Sequence, residues 1–287
     1  MDFAKLHGLG NDFLVINAGE AGNEGHSLAA LARRLCDRHC GVGADGIVFY
    51  QPTVGDACAE FSALIFNADG SRAEMSGNGV RCAAAFLVHS RAHTGSNLRI
   101  RTVSGIRSLS LQSHDALIYR FRCSMGVPIL EPEKIPVLLE KTMEGPVLDY
   151  PLRMGSETIR VSLSSMGNPH CSTFWPDIDQ APLEKTGPQL ESHSQFPKRT
   201  NVEFIQVLDR HRIRVRFWER GVGATLSSGT GSSAAAVASI LKGLVQTPVT
   251  VETGLGSLEV GWEQGKELFL TGPAEYICSG TYAAANN

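Results

Sequence analysis

Several things are scarce in this chain of 287 residues, and each scarcity excludes a class of function. No stretch approaches the ~20 consecutive apolar residues that cross a bilayer, so no membrane partner is expected. No long basic run occurs, and 26 Lys and Arg against 29 Asp and Glu leave a net charge of −3. The electrostatic footprint of a nucleic-acid binder is therefore missing. The seven cysteines are an odd number at irregular spacings with no Cys-x-x-Cys pair, which excludes a disulfide framework and a structural zinc site. The opening Met1-Asp2-Phe3-Ala4-Lys5 lacks the charged-then-apolar build of a secretory signal. These features predict a cytoplasmic protein with free thiols and a small-molecule partner.

Catalytic motifs are also sparse. No Gly-x-Ser-x-Gly elbow marks a serine hydrolase. Gly41-x-Gly43-x-x-Gly46 matches the dinucleotide fingerprint in spelling, but it follows a helix-like segment and precedes the strand-like Ile47-Val48-Phe49-Tyr50. A nucleotide-binding turn needs the opposite order. His89 and His93 stand four apart in what reads as a surface helix, yet Ser90 fills the place of the glutamate a zinc protease requires. Cys36, His39 and Cys40 have no second ligand pair. No metal and no cofactor are expected.

What is present is an ordinary globular composition, 43% hydrophobic and 19% charged, in a chain long enough for about two domains. The chain also repeats itself. Gly10-Asn11 answers to Gly167-Asn168. Ser76-Gly77-Asn78-Gly79, followed by Cys82-Ala83-Ala84-Ala85, answers to Ser228-Gly229-Thr230-Gly231, followed by Ala234-Ala235-Ala236. Gly105-Ile106-Arg107-Ser108-Leu109 answers to Gly254-Leu255-Gly256-Ser257-Leu258. Order is kept and spacings agree to within about five residues, as an internal duplication requires.

Segments 80–87 and 232–241 are alanine-rich and apolar on nearly every side, which predicts a buried central helix in each half. An amphipathic helix is expected over 28–36, and strands over 61–66, 98–103, 116–123, 202–208, 213–218, 249–252 and 267–271. The fold class expected is α+β: two pseudo-symmetric lobes, each a curved, mostly antiparallel sheet wrapped around its own helix. The expected division is residues 1–125 and 126–272, with the tail, 273–287, free to return to the first lobe.

Each central helix starts just after a Ser-Gly-x-Gly turn, which gathers free backbone N–H groups at the positive end of the helix dipole. Such an end binds anions, and two from duplicated lobes would grip one carboxylate or phosphate together. The plainer reading, that each serine only caps its helix, weakens when the turn recurs at matched spacing.

The chain resembles the diaminopimelate epimerase family of cofactor-independent amino-acid epimerases and racemases along nearly its whole length. The resemblance is carried by His7-Gly8-Leu9-Gly10-Asn11-Asp12-Phe13, Gly41-Val42-Gly43-Ala44-Asp45-Gly46, Asn67-Ala68-Asp69-Gly70-Ser71 and Glu74-Met75-Ser76-Gly77-Asn78-Gly79-Val80-Arg81-Cys82. It continues in Gly167-Asn168-Pro169-His170, Thr200-Asn201-Val202-Glu203 and Glu219-Arg220-Gly221-Val222-Gly223.

The resemblance implies removal of the Cα proton from one face of an amino acid and its return on the other, with LL- and meso-diaminopimelate as the substrates. It also implies a small-molecule amino-acid partner, and it is compatible with a homodimer. The family's two acid/base cysteines fall at Ser76 and Ser228, so both are serine here. His170 and Glu219 match the ionisable pair lining the family's cleft and are the candidates for accepting a serine proton. Gly77, Asn78, Gly229 and Thr230 would hold the reacting carboxylate. Arg220, Asn67, Asn168 and Asn201 would take the distal end, with Asn11 nearby.

Three readings of the serines stand side by side: a double mutant made to hold substrate, a natural Ser/Ser paralogue that still moves protons, and a relative that only binds an amino acid or related carboxylate. An isomerase of a different small acid is a further alternative. Ser227 and Ser232-Ser233 beside the second turn favour a natural sequence.

Overall fold

The computed structural model describes residues 1–21, 27–73, 75–141 and 143–283. Glu74 of the fourth motif and positions 284–287 of the tail lie outside the described residues. The chain divides into two compact units, Met1–Ser124 with the segment from Thr271 onward, and Met125–Leu270.

In the first unit β1 (Asp2–Gly8) alternates as a half-buried strand should, with Ala4, Leu6 and Gly8 inward. It pairs antiparallel with β2 (Asn11–Asn17) across Leu9-Gly10, both at positive φ. Phe13, Leu14, Val15 and Ile16 of β2 are all buried, the mark of a strand covered on both faces.

A single turn, α1 (Ala18–Ala21), follows β2. Then comes α2 (Leu28–Cys36), capped by Ser27, whose Oγ accepts the Ala30 N–H. Leu31, Ala32 and Leu35 lie on one side of α2, spaced three and four apart, and pack with Leu14, Ile16, Ile47 and Phe49. The crossover through α2 lets β3 (Gly46–Pro52) run parallel to β2.

β4 (Phe61–Asn67) lies antiparallel to β3 and carries the short β5 (Arg72–Ala73). The central helix α3 (Gly77–His89) occupies the next crossover, so β6 (Asn97–Thr102) is parallel to β4. β7 (Gly105–Asp115) and β8 (Ile118–Gly126) continue antiparallel. The ring closes when β17 (Leu268–Thr281) pairs with both β8 and β1. Helix α3 packs on β1, β2 and β3 and is buried from Gly77 to Ala85 on every side, which places it inside that ring.

The second unit has β9 (Tyr150–Met154), β10 (Glu157–Ser165) and β11 (Pro169–Phe174) as an antiparallel run. Helix α4 (Leu183–Glu191) fills the crossover to β12 (Asn201–Asp209), parallel to β11. β13 (Arg212–Glu219) and β14 (Gly223–Thr225) follow antiparallel. Helix α5 (Gly229–Leu241) precedes β15 (Val249–Thr253), parallel to β13, and β16 (Gly256–Gly261) closes the series.

Residues on alternate sides of β11 and β12 serve different purposes. Cys171, Val202 and Phe204 face the apolar core they share with Leu183 and Leu190 of α4. The intervening His170, Ser172, Asn201 and Glu203 face the other way, the side on which α5 packs.

The sheet-rich architecture agrees with the α+β expectation, and each central helix begins at its Ser-Gly-x-Gly turn. Two local expectations need correction. Helix α3 ends at His89 with Ser90 as its cap, so His93 lies beyond the helix and the two histidines make no helical pair. His89 instead stacks on Tyr276 and meets the Tyr119 hydroxyl at 2.9 Å. Helix α4 was not expected, because Gly187 and Pro188 both disfavour helix. Packing overrides propensity there: a Cβ on Gly187 would stand 2.6 Å from the Trp218 ring, so glycine permits the close approach to β13. Among the described residues no helix is long and apolar enough to cross a membrane.

Candidate active site

In the second unit the site is built around the first turn of α5. Ser228 is extended, at φ −137°, and its Oγ accepts the Gly231 N–H at 3.3 Å while donating to Glu219 Oε2 at 2.9 Å. The serine thus caps the helix and is tied to a carboxylate at once. Burial raises the Glu219 carboxyl above its ordinary range; Thr225, Ser228 and His170 pull it back, and the nearby Glu203 pushes it further up. A carboxyl raised in this way and bonded to a serine hydroxyl is placed to exchange a proton with it.

Glycine at 231 is required by space. A Cβ there would lie 2.8 Å from Cδ1 of Phe217, which is fully buried in β13.

His170 stands behind this turn. Its Nδ1 is 2.6 Å from Glu203 Oε1 and its Nε2 is 3.0 Å from Asn168 Oδ1. Ser172 Oγ donates to the other Glu203 oxygen at 3.0 Å, and Asn168 Nδ2 reaches Thr230 Oγ1 at 3.5 Å. The parallel register of β11 and β12 produces this cluster by pairing His170 with Asn201 and Ser172 with Glu203. Asn201 braces the backbone: its Nδ2 donates to the Pro169 carbonyl at 2.9 Å, and its Oδ1 accepts the Arg220 N–H at 3.0 Å. The Arg220 guanidinium is partly exposed and donates to the Lys198 carbonyl.

In the first unit Ser76 also caps its helix, accepting the Gly79 N–H at 3.0 Å. Its neighbours are amides and a cation. Asn78 Nδ2 donates to Asn11 Oδ1 at 3.1 Å, and Asn11 Nδ2 donates to Asp45 Oδ2 at 2.9 Å. Asn78 Oδ1 accepts from Arg81, a fully buried residue whose Nε donates to the Pro273 carbonyl at 3.3 Å. Burial lowers the Arg81 guanidinium from its ordinary value. Asp45 belongs to a charged cluster with Asp12, Arg38 and Lys5. Burial raises the Asp12 carboxyl, but the Arg38 and Lys5 contacts outweigh it and hold it low.

The residues expected in the site are thus gathered unevenly. Asn78 and Asn11 are hydrogen-bonded to each other beside Ser76 and Gly77; Ser228, Gly229, Thr230, Glu219, Asn168 and His170 surround the other turn. Asn67 joins neither group: it is exposed and donates to Ser71 Oγ at 2.9 Å within its own turn. In each turn the small-residue spacing and the serine cap make a helix N-terminus of the kind at which anions bind.

The diaminopimelate epimerase family model matches residues 3–130 and 162–277. The chain belongs to the diaminopimelate epimerase family. It is 43% identical over 285 residues to a diaminopimelate epimerase of Pelotomaculum thermopropionicum, covering 98% of this chain and 99% of the relative. It is 42% identical to that of Synechocystis, covering 98% of both chains. Among solved structures a probable proline racemase of Agrobacterium radiobacter superposes with a TM-score of 0.71 at 16% identity, over 99% of this chain and 93% of the other.

Within this epimerase-family frame, sequence reading gave no role to Glu203, Ser172 or Arg81. A signal for the first was available. Glu203 is the one charge in the apolar run Val202-Glu203-Phe204-Ile205, and buried charges are kept when paired. Its partner, though, depends on strand register, which no local spacing displays.

Proposed function

We propose that this chain is a cofactor-independent epimerase that interconverts LL- and meso-diaminopimelate by two-base proton transfer at Cα, with Ser76 and Ser228 at the two acid/base positions. The observation that carries the reading is the 2.9 Å bond from Ser228 Oγ to Glu219 Oε2 at a helix N-terminus. Serine ionises far less readily than cysteine, and a carboxylate already accepting its hydroxyl hydrogen supplies the base that serine needs. In the forward step the Cα–H bond breaks, its proton passes to Ser228 Oγ, and the hydroxyl proton passes to Glu219. The electron pair left on Cα spreads into the α-carboxylate, which the N–H groups of Gly77, Asn78, Gly229 and Thr230 stabilise. Ser76 gives its hydroxyl hydrogen to the opposite face of Cα and, being only half-buried, takes a proton back from solvent as Glu219 releases the one it accepted; His170 is the second ionisable helper.

Asn11, Asn67, Asn168, Asn201 and Arg220 are assigned to the substrate's amines and distal carboxylate. A small polar diacid as the only partner, a cytoplasmic setting and compatibility with a homodimer go with this reading.

The two units are read as internal copies, the second ending near Thr271 where the tail rejoins the first. Support comes from the same series in each: a parallel pair crossed by a flanking helix, then a second parallel pair crossed by the capped central helix.

The test is incubation with each diaminopimelate isomer in D2O, following Cα exchange and the stereochemistry of the recovered acid. Exchange with interconversion is expected. Binding of diaminopimelate without exchange would leave a Ser/Ser relative that holds the amino acid, and exchange only in another small acid would move the substrate.

A further inference from the structure

We propose that Glu203, braced by Ser172, is a positioning residue: its carboxylate holds a hydrogen on Nδ1 of His170 and so fixes the ring with Nε2 against Asn168 Oδ1, where Nε2 donates a second hydrogen. The inference rests on the reading of His170 as a proton-handling residue, and it follows from counting hydrogens. A carboxylate and an amide oxygen are acceptors only. Nδ1 faces Glu203 Oε1 at 2.6 Å and Nε2 faces Asn168 Oδ1 at 3.0 Å, so each contact requires a hydrogen from the ring. Glu203 cannot turn away, because Ser172 Oγ donates to its second oxygen at 3.0 Å. The imidazole and the carboxylate are 0% and 1% exposed, so no bulk water stands in for either partner.

The consequence runs outward from Glu203. With a hydrogen on Nε2, Asn168 keeps its oxygen toward the ring and its Nδ2 toward Thr230 Oγ1, at 3.5 Å, in the first turn of α5. Were Nε2 an acceptor, the Asn168 amide would have to rotate and present its oxygen to Thr230 instead. Glu203 therefore sets which atom Asn168 shows at the helix end. The same unit then holds an acceptor and a donor: Glu219 takes the Ser228 hydroxyl hydrogen, while His170 gives one at Nε2. The Glu219 carboxyl responds to both members of the pair, His170 drawing it down and Glu203 pushing it up.

The decisive measurement is the ring nitrogens of His170 by NMR on the full chain labelled with 15N-histidine, assigned by the loss of signals in His170→Asn. With each nitrogen set against an acceptor, both are expected to carry hydrogen. An unprotonated nitrogen in the unaltered protein overturns the proposal without any variant.

Glu203→Gln is expected to leave one ring nitrogen unprotonated, and Glu203→Asp to restore the second hydrogen; an unchanged spectrum in the glutamine variant also overturns it. In the D2O assay Glu203→Gln should lower kcat for Cα exchange by about 10²-fold, the low end for a positioned acid or base, with KM little changed. If the unaltered protein exchanges no diaminopimelate, the epimerase reading fails, while the ring spectrum still decides the role of Glu203.

Discussion

Helices α3 and α5 open with the same local chemistry in different electrostatic company. Both are thirteen residues long, and each is capped by a serine whose Oγ accepts the N–H three residues on. The α3 turn is backed by a buried cation: Arg81 meets Asn78, and among the described residues no carboxylate lies against its guanidinium. The α5 turn is backed by carboxylates, Glu219 on the cap itself and Glu203 behind His170. Ser76 is half-buried, whereas Ser228 is buried.

A cap is specified by residues three apart in sequence, so duplication preserves it. Behind the second cap the groups come from β12 and β13, while behind the first Arg81 comes from α3 itself, where α5 carries Ser233. The first turn thus has a cation beside it and the second a carboxylate, although their spelling is nearly identical.

The largest effect expected comes from making the two turns alike in the way the family has them. Ser76→Cys with Ser228→Cys places a thiol at each helix N-terminus, where thiolate is readily reached. Cα exchange with diaminopimelate should rise by about 10²-fold or more, while each single change should do far less, because the two positions act as one unit. A double variant that binds diaminopimelate and stays inert would move attention to His170 and Glu219. One that does not bind it would remove diaminopimelate as the substrate.

How far these turns were legible follows from which contacts are local. The serines, glycines and alanine runs announced both central helices, since capping and all-round burial leave their marks within a dozen residues. The closing strand β17 was expected only over 267–271, because its pairing with β1 and β8 spans most of the chain. Helix α4 was hidden by Gly187 and Pro188, whose fit depends on Trp218. In the site, Ser228 and Glu219 lie on adjoining elements and were found together. The Glu203 link to His170 needed the register of β11 and β12, which local spacing does not report, whereas Arg81 and Asn78 lie three apart on α3 and their contact was open to a local reading that passed it over.

Packing gives the next contrast. Gly231→Ala would put a methyl 2.8 Å from the Phe217 ring, whereas Gly79→Ala meets Phe13, Ser76 and Val48 no closer than 3.3 Å. Phe217 is locked in the core, so Gly231→Ala should destabilise by roughly 1–3 kcal/mol. At Gly79 the strain is offset by alanine's gain of about 1 kcal/mol in helix propensity, leaving stability nearly unchanged. Urea unfolding midpoints of the two variants measure this directly. Equal losses would mean that the two turns are packed alike.

A smaller effect tests the cation. Arg81→Leu removes a buried charge, which alone does not destabilise, but it leaves Asn78 Oδ1 without its donor. The fold should survive with a melting temperature near that of the unaltered chain. Carboxylate binding should weaken by about tenfold, the value of one charge-assisted contact. Calorimetric titration with diaminopimelate reads it, and unchanged affinity would separate Arg81 from the ligand.

The smallest effect is a slope. Burial holds the Glu219 carboxyl above its ordinary range in the folded protein, so from about pH 4 upward the native state keeps a proton that the unfolded chain has released. The unfolded state then binds fewer protons than the native one, and this group's contribution to stability falls as pH rises until the native carboxyl has itself ionised. Below the unfolded value the penalty is absent. Glu219→Gln removes it, so the variant should gain stability relative to the unaltered protein as pH is raised from about 4 to 7, and the two should converge in acid. Ser76 has no carboxylate on its hydroxyl among the described residues, so Ser76→Ala should shift its curve by a roughly pH-independent cap loss of about 1 kcal/mol. Thermal unfolding across that pH range distinguishes them. A Glu219→Gln difference that stays constant with pH would show that the carboxyl is not held up in the folded state, and the base assigned to Ser228 would lose its physical ground.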